Sequence, residues 1–572
     1  MFIKSLKTNE TYALTTFEGK SIRDYCWVGD HYLVMIAEDI ACKEFGLYTS
    51  TVNGSRQEEI VLSNTISKLD FIQNNNKSGD KEILFCMNER TPDNTDVYRL
   101  NVETSVKQMI IENPGNVIEW YADENNNIRL ARGSKGTNEV WYYRSANANA
   151  VFKQMMSNYF TTSIQPIMFI RNKEHRLYAL SNIGRDKYAL VEFNCDEGKE
   201  EKLIFECKKA DLIKAAFSKK LNTITYVSTN LDKRKTFFLQ DTTEMHYKNI
   251  RKALKSEIIE VKDHDEDENN YILFGYTDKT PGAYYLYNLE KKSLLKIGEV
   301  NSDIISSDMA DMQPVSYKSR DGQQIHGYLT ISKANVHRKP PLVVLVHDGP
   351  YCRDVWGYNA EVQFLANRGF AVFQMNFRGS TGYGKQFYEA GFGQWDKAIQ
   401  NDIEDGVKWL MSQSLVDPDR IAVYGKGFGG FSAFNQSIQL PGFYKCAVSY
   451  SGFLNLFTYM KGIPAYYNPH HQIIEKVIGS PIKNVEQIKA ASPIFQSDKI
   501  GIPIMIFQGG KDSKANANET SQFVKELKKQ QKQVTYILKE EEGHQISNLN
   551  NKVYFYKHLE SFLEKNMSQK IQ

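Results

Sequence analysis

The chain has 572 residues, 41% of them hydrophobic and 24% charged, with 71 lysines and arginines against 68 aspartates and glutamates. That length exceeds what a single hydrophobic core sustains, so two or more domains are expected, and the composition is globular rather than disordered. A formal charge of +3 gives no reason to expect a nucleic acid or a membrane surface as partner.

The first residues, "MFIKSLKTNETYALTTFEGKS", contain no apolar stretch of the length a secretory signal needs, and no later run reaches the ~18 apolar residues of a membrane span. A cytoplasmic protein is expected. The cysteines Cys26, Cys42, Cys86, Cys195, Cys207, Cys352 and Cys446 are odd in number and never form C-x-x-C pairs. They read as reduced thiols, with neither a disulfide framework nor a metal site.

From residue 1 to about 311 short aromatic and β-branched runs alternate with Asn, Asp, Lys and Gly, which predicts strands. Six segments of one shape recur, "HYLVMI" at 31, "EILFCM" at 82, "NIRLAR" at 127, "RLYALS" at 176, "TITYVS" at 223 and "YILFGY" at 271. Their spacing of about 45 to 51 residues is that of four-stranded propeller blades. Several are followed by a polar turn and a second aromatic strand, as in "NEVWYYR", "DKYALVEFN" and "AYYLYNL". A β-propeller of six or seven blades is expected over 1–311, with an irregular pair of β-sandwiches as the alternative. The acidic run "DHDEDENN" at 263–270 lacks the D-x-D-x-D-G spacing of a calcium loop and reads as a solvated turn.

From 312 to 572 the rhythm changes. Continuous apolar runs, "PLVVLVH", "FAVFQMN", "RIAVYG", "CAVSYS", "IPIMIFQG" and "VTYILK", alternate with amphipathic stretches such as "NDIEDGVKWLMSQ". Buried strands alternating with helices predict a parallel sheet covered on both faces, an α/β domain. In such sheets reactive groups sit on loops at the carboxyl ends of the strands. Three loops qualify. The first is "YGKGFGG" (424–430), with the glycines of a steep strand-to-helix corner; the second carries Asp512 in "GGKDSKA", and the third His544 in "EEGHQIS". The order of corner, acid and histidine is that of an α/β-hydrolase triad, in which the acid steadies an imidazole that takes the nucleophile's proton. At the corner's tip, however, stands Gly427, which has no atom able to attack a carbonyl. Ser432 lies more than a helical turn beyond the tip, and Lys426 would leave the turn in another direction.

The stretches "SRDGQQIHGYL", "PLVVLVHDGP", "NFRGSTGYGKQF", "QWDKAIQNDIEDGVKWL", "DPDRIAVYGKGFGGF", "FQGGKDSKA" and "EEGHQIS" resemble the catalytic domain of the prolyl oligopeptidase family, nearest its acylaminoacyl-peptidase branch, over about 316–565. The resemblance implies a serine peptidase acting on or binding short peptides or acyl-peptides in a cleft between propeller and hydrolase, without a cofactor. It implies Asp512 as acid, His544 as base, and the N–H groups of Gly349 and Phe428 as oxyanion donors. It also implies a substrate pocket near Phe453 and Leu456, and a role for Arg378 that is either substrate contact or an internal ion pair.

Two departures qualify it. Gly427 replaces the nucleophilic serine, and Asp348 replaces a glycine of the family's H-G-G-P loop. A carboxylate at 348 is harmless if it points outward and opposes a developing oxyanion if it points inward. Three readings stay open: an inactive family member that binds peptides, an active peptidase in which Gly427 is a substitution of this copy, and a scaffold with an idle cleft. A metal hydrolase is not expected, since His470 and His471 are adjacent and no H-E-x-x-H occurs. A homo-oligomer remains open.

Overall fold

The structure is a computed structural model that describes residues 1–568 except 7, 9, 16, 18, 40–43, 62–65, 73–78, 148–149, 255–257 and 333–338. Cys42 lies outside the described residues. The six other cysteines are free thiols.

The N-terminal region consists of six successive antiparallel sheets, the blades of a six-bladed β-propeller. Each of the six recurring segments falls on the second strand of one sheet: Tyr32–Asp39, Glu82–Thr91, Ile128–Lys135, Arg176–Ser181, Thr223–Asn230 and Asn270–Tyr276. The recurrence has a packing cause. Side chains alternate between the two faces of a strand, and the first five of these second strands are buried on both. Ile83, Phe85 and Met87 pack with Val34, Ile36 and Leu47 of the first sheet. Leu84 and Cys86 pack with Trp120, Ile128 and Ala131 of the third. Among the described residues no seventh blade of three or four strands occurs in this region; the strands Phe2–Lys4 and Thr11–Ala13 form a separate two-stranded sheet.

The fifth sheet has three strands, and its third, Arg234–Phe238, runs into the helix Asp241–Leu254. Tyr247 of that helix sits against Tyr226 and Phe238, with ring centroids 5.5 and 4.9 Å apart. The acidic run forms a turn in which Asp265 accepts hydrogen bonds from the N–H groups of Asn269 and Asn270.

The C-terminal region is built on one eight-stranded sheet of β1 (Met312–Lys318), β2 (Gln324–Thr330), β3 (Leu342–Val346), β4 (Ala371–Asn376), β5 (Ile421–Lys426), β6 (Cys446–Tyr450), β7 (Ile504–Gly509) and β8 (Val534–Lys539). Its order is β1-β2-β4-β3-β5-β6-β7-β8, antiparallel at β1 and β2 and parallel from β4 onward. This is an α/β-hydrolase domain. The central strands β3, β4 and β6 are buried along their whole length, which requires helices on both faces and accounts for the unbroken apolar runs in the sequence. Among the described residues no helix is long and apolar enough to cross a membrane.

Contacts divide the chain into two compact units, one of Met1–Ala179, Val191–Leu203 and Ile463–Ile474, the other of Leu180–Leu190, Ile204–Gly462 and Glu475–Gln572. The segment Ile463–Ile474, although it follows β6 in sequence, belongs with the first propeller sheets. Within that unit Asn468 donates to the Asp93 carboxylate at 3.0 Å.

Candidate active site

The register of the parallel strands brings together the loops that carry the chemistry. Val346 at the end of β3 pairs with Gly425 near the end of β5, so residues 347–350 lie beside the corner at 427. Gly509 pairs with Lys539, which sets the loop bearing Asp512 beside the loop bearing His544. All four loops therefore open at the same carboxyl edge of the sheet.

The corner itself is made by Gly427, at φ 52° and ψ −114°, a conformation that costs any residue with a Cβ of order 1–3 kcal/mol. The helix Phe428–Gln439 starts immediately after it. Gly425 and Gly429 let the helix start approach the strand closely: a Cβ on Gly425 would stand 2.5 Å from Cα of Gly429. Gly427 caps this helix without a side-chain hydrogen bond.

Asp348 supplies what Gly427 lacks. Its Oδ1 accepts hydrogen bonds from the N–H of Phe428 at 2.7 Å and from its neighbour Gly349 at 2.8 Å. These are the two N–H groups that the sequence pointed to as oxyanion donors. The carboxylate also stands where a side chain on residue 427 would have to be, since a Cβ there would lie 2.6 Å from Asp348 Cγ and 2.8 Å from Oδ2. Of the two orientations left open for Asp348, the structure shows the inward one. The placement is electrostatically favourable, because an anion at a helix N-terminus is stabilised by the helix dipole, by about 0.3–1 kcal/mol at an exposed site; the Asp348 side chain is 50% exposed.

His544 Nδ1 bonds to Asp512, 2.9 Å from Oδ2 and 3.1 Å from Oδ1. A carboxylate can only accept here, so Nδ1 donates and Nε2 is the nitrogen turned away from Asp512. Asp512 also accepts from the N–H groups of Lys514 and Ala515 at 2.8 and 3.0 Å. Burial alone would raise its pKa, but the hydrogen bond from His544 and those two N–H groups outweigh burial and hold the carboxyl below its ordinary range. The His544 loop is anchored on either side. Glu542 accepts from the N–H of Ser547 and Asn548, and the Tyr450 hydroxyl accepts from the N–H of Ile546. His544 Nε2 faces Asp348 Oδ2 at 4.0 Å.

His347 fixes the backbone before Asp348. Its Nδ1 donates to the Asp348 carbonyl oxygen at 2.8 Å, its Nε2 lies 3.0 Å from Ser380 Oγ, and its ring stacks on Phe377. Desolvation pushes its pKa down to about 4, against the pull of the Asp348 carbonyl and carboxylate. Nothing in the sequence singled out His347; the clue was its place directly before the anomalous Asp348.

The remaining expected residues divide. Arg378 is an internal ion-pair residue, which decides between the two roles considered for it: its guanidinium pairs with Asp402 and Asp321 at 2.7 Å each, and its side chain is 9% exposed. Phe453 belongs to a ring cluster, with centroids 4.3 Å from Tyr459, 5.0 Å from Phe431 and 6.0 Å from Trp395. Leu456 is fully buried at the start of a short helix. Neither flanking residue replaces a nucleophile. Ser432 is buried and accepts from Gln400 Nε2 at 3.1 Å, whereas Lys426 pairs with Glu361 at 2.8 Å. Among the described residues no group of His, Cys, Asp and Glu could hold a metal ion.

A β-propeller followed by an α/β-hydrolase domain, with an acid-steadied histidine facing the corner after β5, defines the class of protein. Residues 356–570 match the model of the prolyl oligopeptidase family. Over nearly its whole length the chain is similar to dipeptidyl aminopeptidase BIII of Pseudoxanthomonas mexicana, 26% identical over 97% of this chain and 81% of that protein. A shorter match, 25% identical over 38% of this chain and 30% of the relative, is to acylamino-acid-releasing enzyme 1 of Oryza sativa subsp. japonica. A solved prolyl endopeptidase structure shares the fold, with a TM-score of 0.79 at 13% identity over 100% of this chain and 86% of that one. The C-terminal region is thus similar to the prolyl oligopeptidase family, and the chain is similar to dipeptidyl and acylaminoacyl peptidases.

Proposed function

We propose that this protein, with residues 1–311 as propeller and 312–572 as hydrolase, binds short peptides or acyl-peptides beside the corner at 427 and does not cleave them by the serine mechanism. The observation that carries the reading is the position of the Asp348 carboxylate, which accepts from Phe428 N–H and Gly349 N–H and fills the space of a side chain at 427. Two requirements of acyl transfer fail together. Gly427 offers no attacking atom, and loss of the serine in a serine peptidase costs about 10⁶ in rate. The two oxyanion donors are already bonded to a carboxylate, so an incoming carbonyl finds no free N–H to polarise it.

The relatives named for dipeptidyl and acylamino-acid release point to peptide ends as the ligand class. The reading in which Gly427 is a substitution of this copy requires the Asp348 side chain to swing away from residue 427. The test is titration calorimetry with acetyl-alanyl-alanine and alanyl-proline, beside labelling with a fluorophosphonate. Binding of either peptide without labelling at 427 supports the proposal. Rapid hydrolysis of peptides by the unaltered chain, or no binding at all, contradicts it.

A further inference from the structure

A carboxylate with one oxygen on two backbone N–H groups and the other facing a basic imidazole is not only a plug. We propose that Asp348 is itself a nucleophile: Oδ1 is held by Gly349 N–H and Phe428 N–H, and Oδ2, 4.0 Å from His544 Nε2, attacks a saturated carbon bearing an anionic leaving group. The inference rests on the reading that residue 427 provides no nucleophile. Aspartate carboxylates serve as covalent nucleophiles when a neighbouring base can release the adduct.

The steps balance. A lone pair of Oδ2 forms the new C–O bond while the bond from carbon to its halide breaks, and the halide leaves with the bonding electrons. Asp348 is now an ester whose carbonyl oxygen is Oδ1, still on its two N–H donors. His544 Nε2, the ring nitrogen not bonded to Asp512, takes a proton from water as the water oxygen attacks Cγ. The negative charge develops on Oδ1, where both N–H groups already point. Collapse breaks the Cγ–Oδ2 bond, the departing alcohol takes the proton from His544, and the regenerated carboxyl loses its own proton to solvent. The sum is alkyl halide plus water giving alcohol, halide and a proton.

The geometry also selects the substrate class. An external acyl group is disfavoured, since Asp348 occupies the donors it would need. Displacement at saturated carbon asks nothing of those donors in its first step and uses them in its second. Gly427 and Asp348 then form a single change: loss of the side chain at 427 makes room for a carboxylate rooted on the neighbouring loop.

The probe is p-nitrophenacyl bromide. The full-length protein and its His544→Ala variant are incubated with it, and peptide mapping by mass spectrometry separates adducts on Asp348 from adducts on the exposed thiol of Cys352. The expected result is an Asp348 ester at least tenfold more abundant in His544→Ala than in the unaltered protein, and none in Asp348→Asn. In H₂¹⁸O the unaltered protein is expected to gain ¹⁸O in the Asp348 carboxyl during turnover, a readout that stands even if a variant fails to fold. Adducts confined to Cys352, or turnover without ¹⁸O at Asp348, overturn the inference. Peptide binding without an Asp348 ester removes this inference alone, whereas an ester without peptide binding removes only the proposed ligand class.

Discussion

The carboxylate of Asp348 occupies the space of a side chain on residue 427, so that one must move if the other is added: a Cβ on Gly427 would lie 2.6 Å from Asp348 Cγ. Gly427→Ala therefore combines backbone strain at φ 52°, of order 1–3 kcal/mol, with displacement of Asp348 from Phe428 N–H. In an Asp348→Gly background only the strain remains. Urea denaturation of the two single variants and the double variant is expected to give a coupling of at least about 1 kcal/mol. Additive effects would mean that the two positions do not touch.

Arg378 is predicted to matter for stability and not for peptide binding. Its partner Asp402 is completely buried, and removing one member of a buried ion pair typically costs about 3–5 kcal/mol. Arg378→Ala should lower the urea midpoint accordingly while leaving the affinity for a bound peptide within about twofold under conditions where the variant is folded. A stable variant that has lost peptide affinity would return Arg378 to the binding site.

Two groups give stability opposite pH dependences. Burial pushes His347 down to about 4, below the ordinary value of about 6.5, so the unfolded chain binds the proton first. The stability it contributes is present above about pH 6.5 and is lost as pH falls toward 4. Asp354 is the reverse: burial raises its carboxyl to about 7, against about 3.9 when unfolded. Its contribution is complete below about pH 4 and is lost as pH rises through 7. Asp354 Oδ2 and Gln374 Oε1 are both buried without a hydrogen-bond partner, and a proton on the carboxyl would give one of them a donor. Both windows fall between about pH 4 and 7, with opposite signs: across that range His347→Gln should lower the slope of the urea midpoint against pH and Asp354→Asn should raise it, with neither changing the slope above about pH 7.5. Unchanged slopes in either variant would contradict the assigned shift.

Much of this architecture was legible in the sequence because its cause is local and repeated. Strands such as Glu82–Thr91, buried on both faces, must be apolar along most of their length, and their return about every 48 residues is a blade repeat. Asp512 and His544 were legible because each follows an apolar strand at its carboxyl end, Ile504–Gly509 buried throughout and Val534–Lys539 at the sheet edge. The helix Asp241–Leu254 carries readable signals, with Asp241 and Glu244 in its first turn and Arg251 and Lys252 in its last. The direction of Asp348 was not legible, because it depends on space at residue 427, which lies 79 positions away and is adjacent only through the pairing of Val346 with Gly425. The grouping of Ile463–Ile474 with the propeller sheets was hidden for the same reason, being a tertiary contact with no local signature.

The account stands on Asp348 filling the nucleophile's place, and one comparison tests it most directly: hydrolysis of acetyl-alanine p-nitroanilide by Gly427→Ser and by Gly427→Ser/Asp348→Gly. With His544 and Asp512 already bonded, the double variant is expected to be active, at least about 10²-fold faster than the single one, the scale of restoring free oxyanion donors. Equal activity of the two variants, or a single variant faster than the double, would show that Asp348 does not hold the site as described.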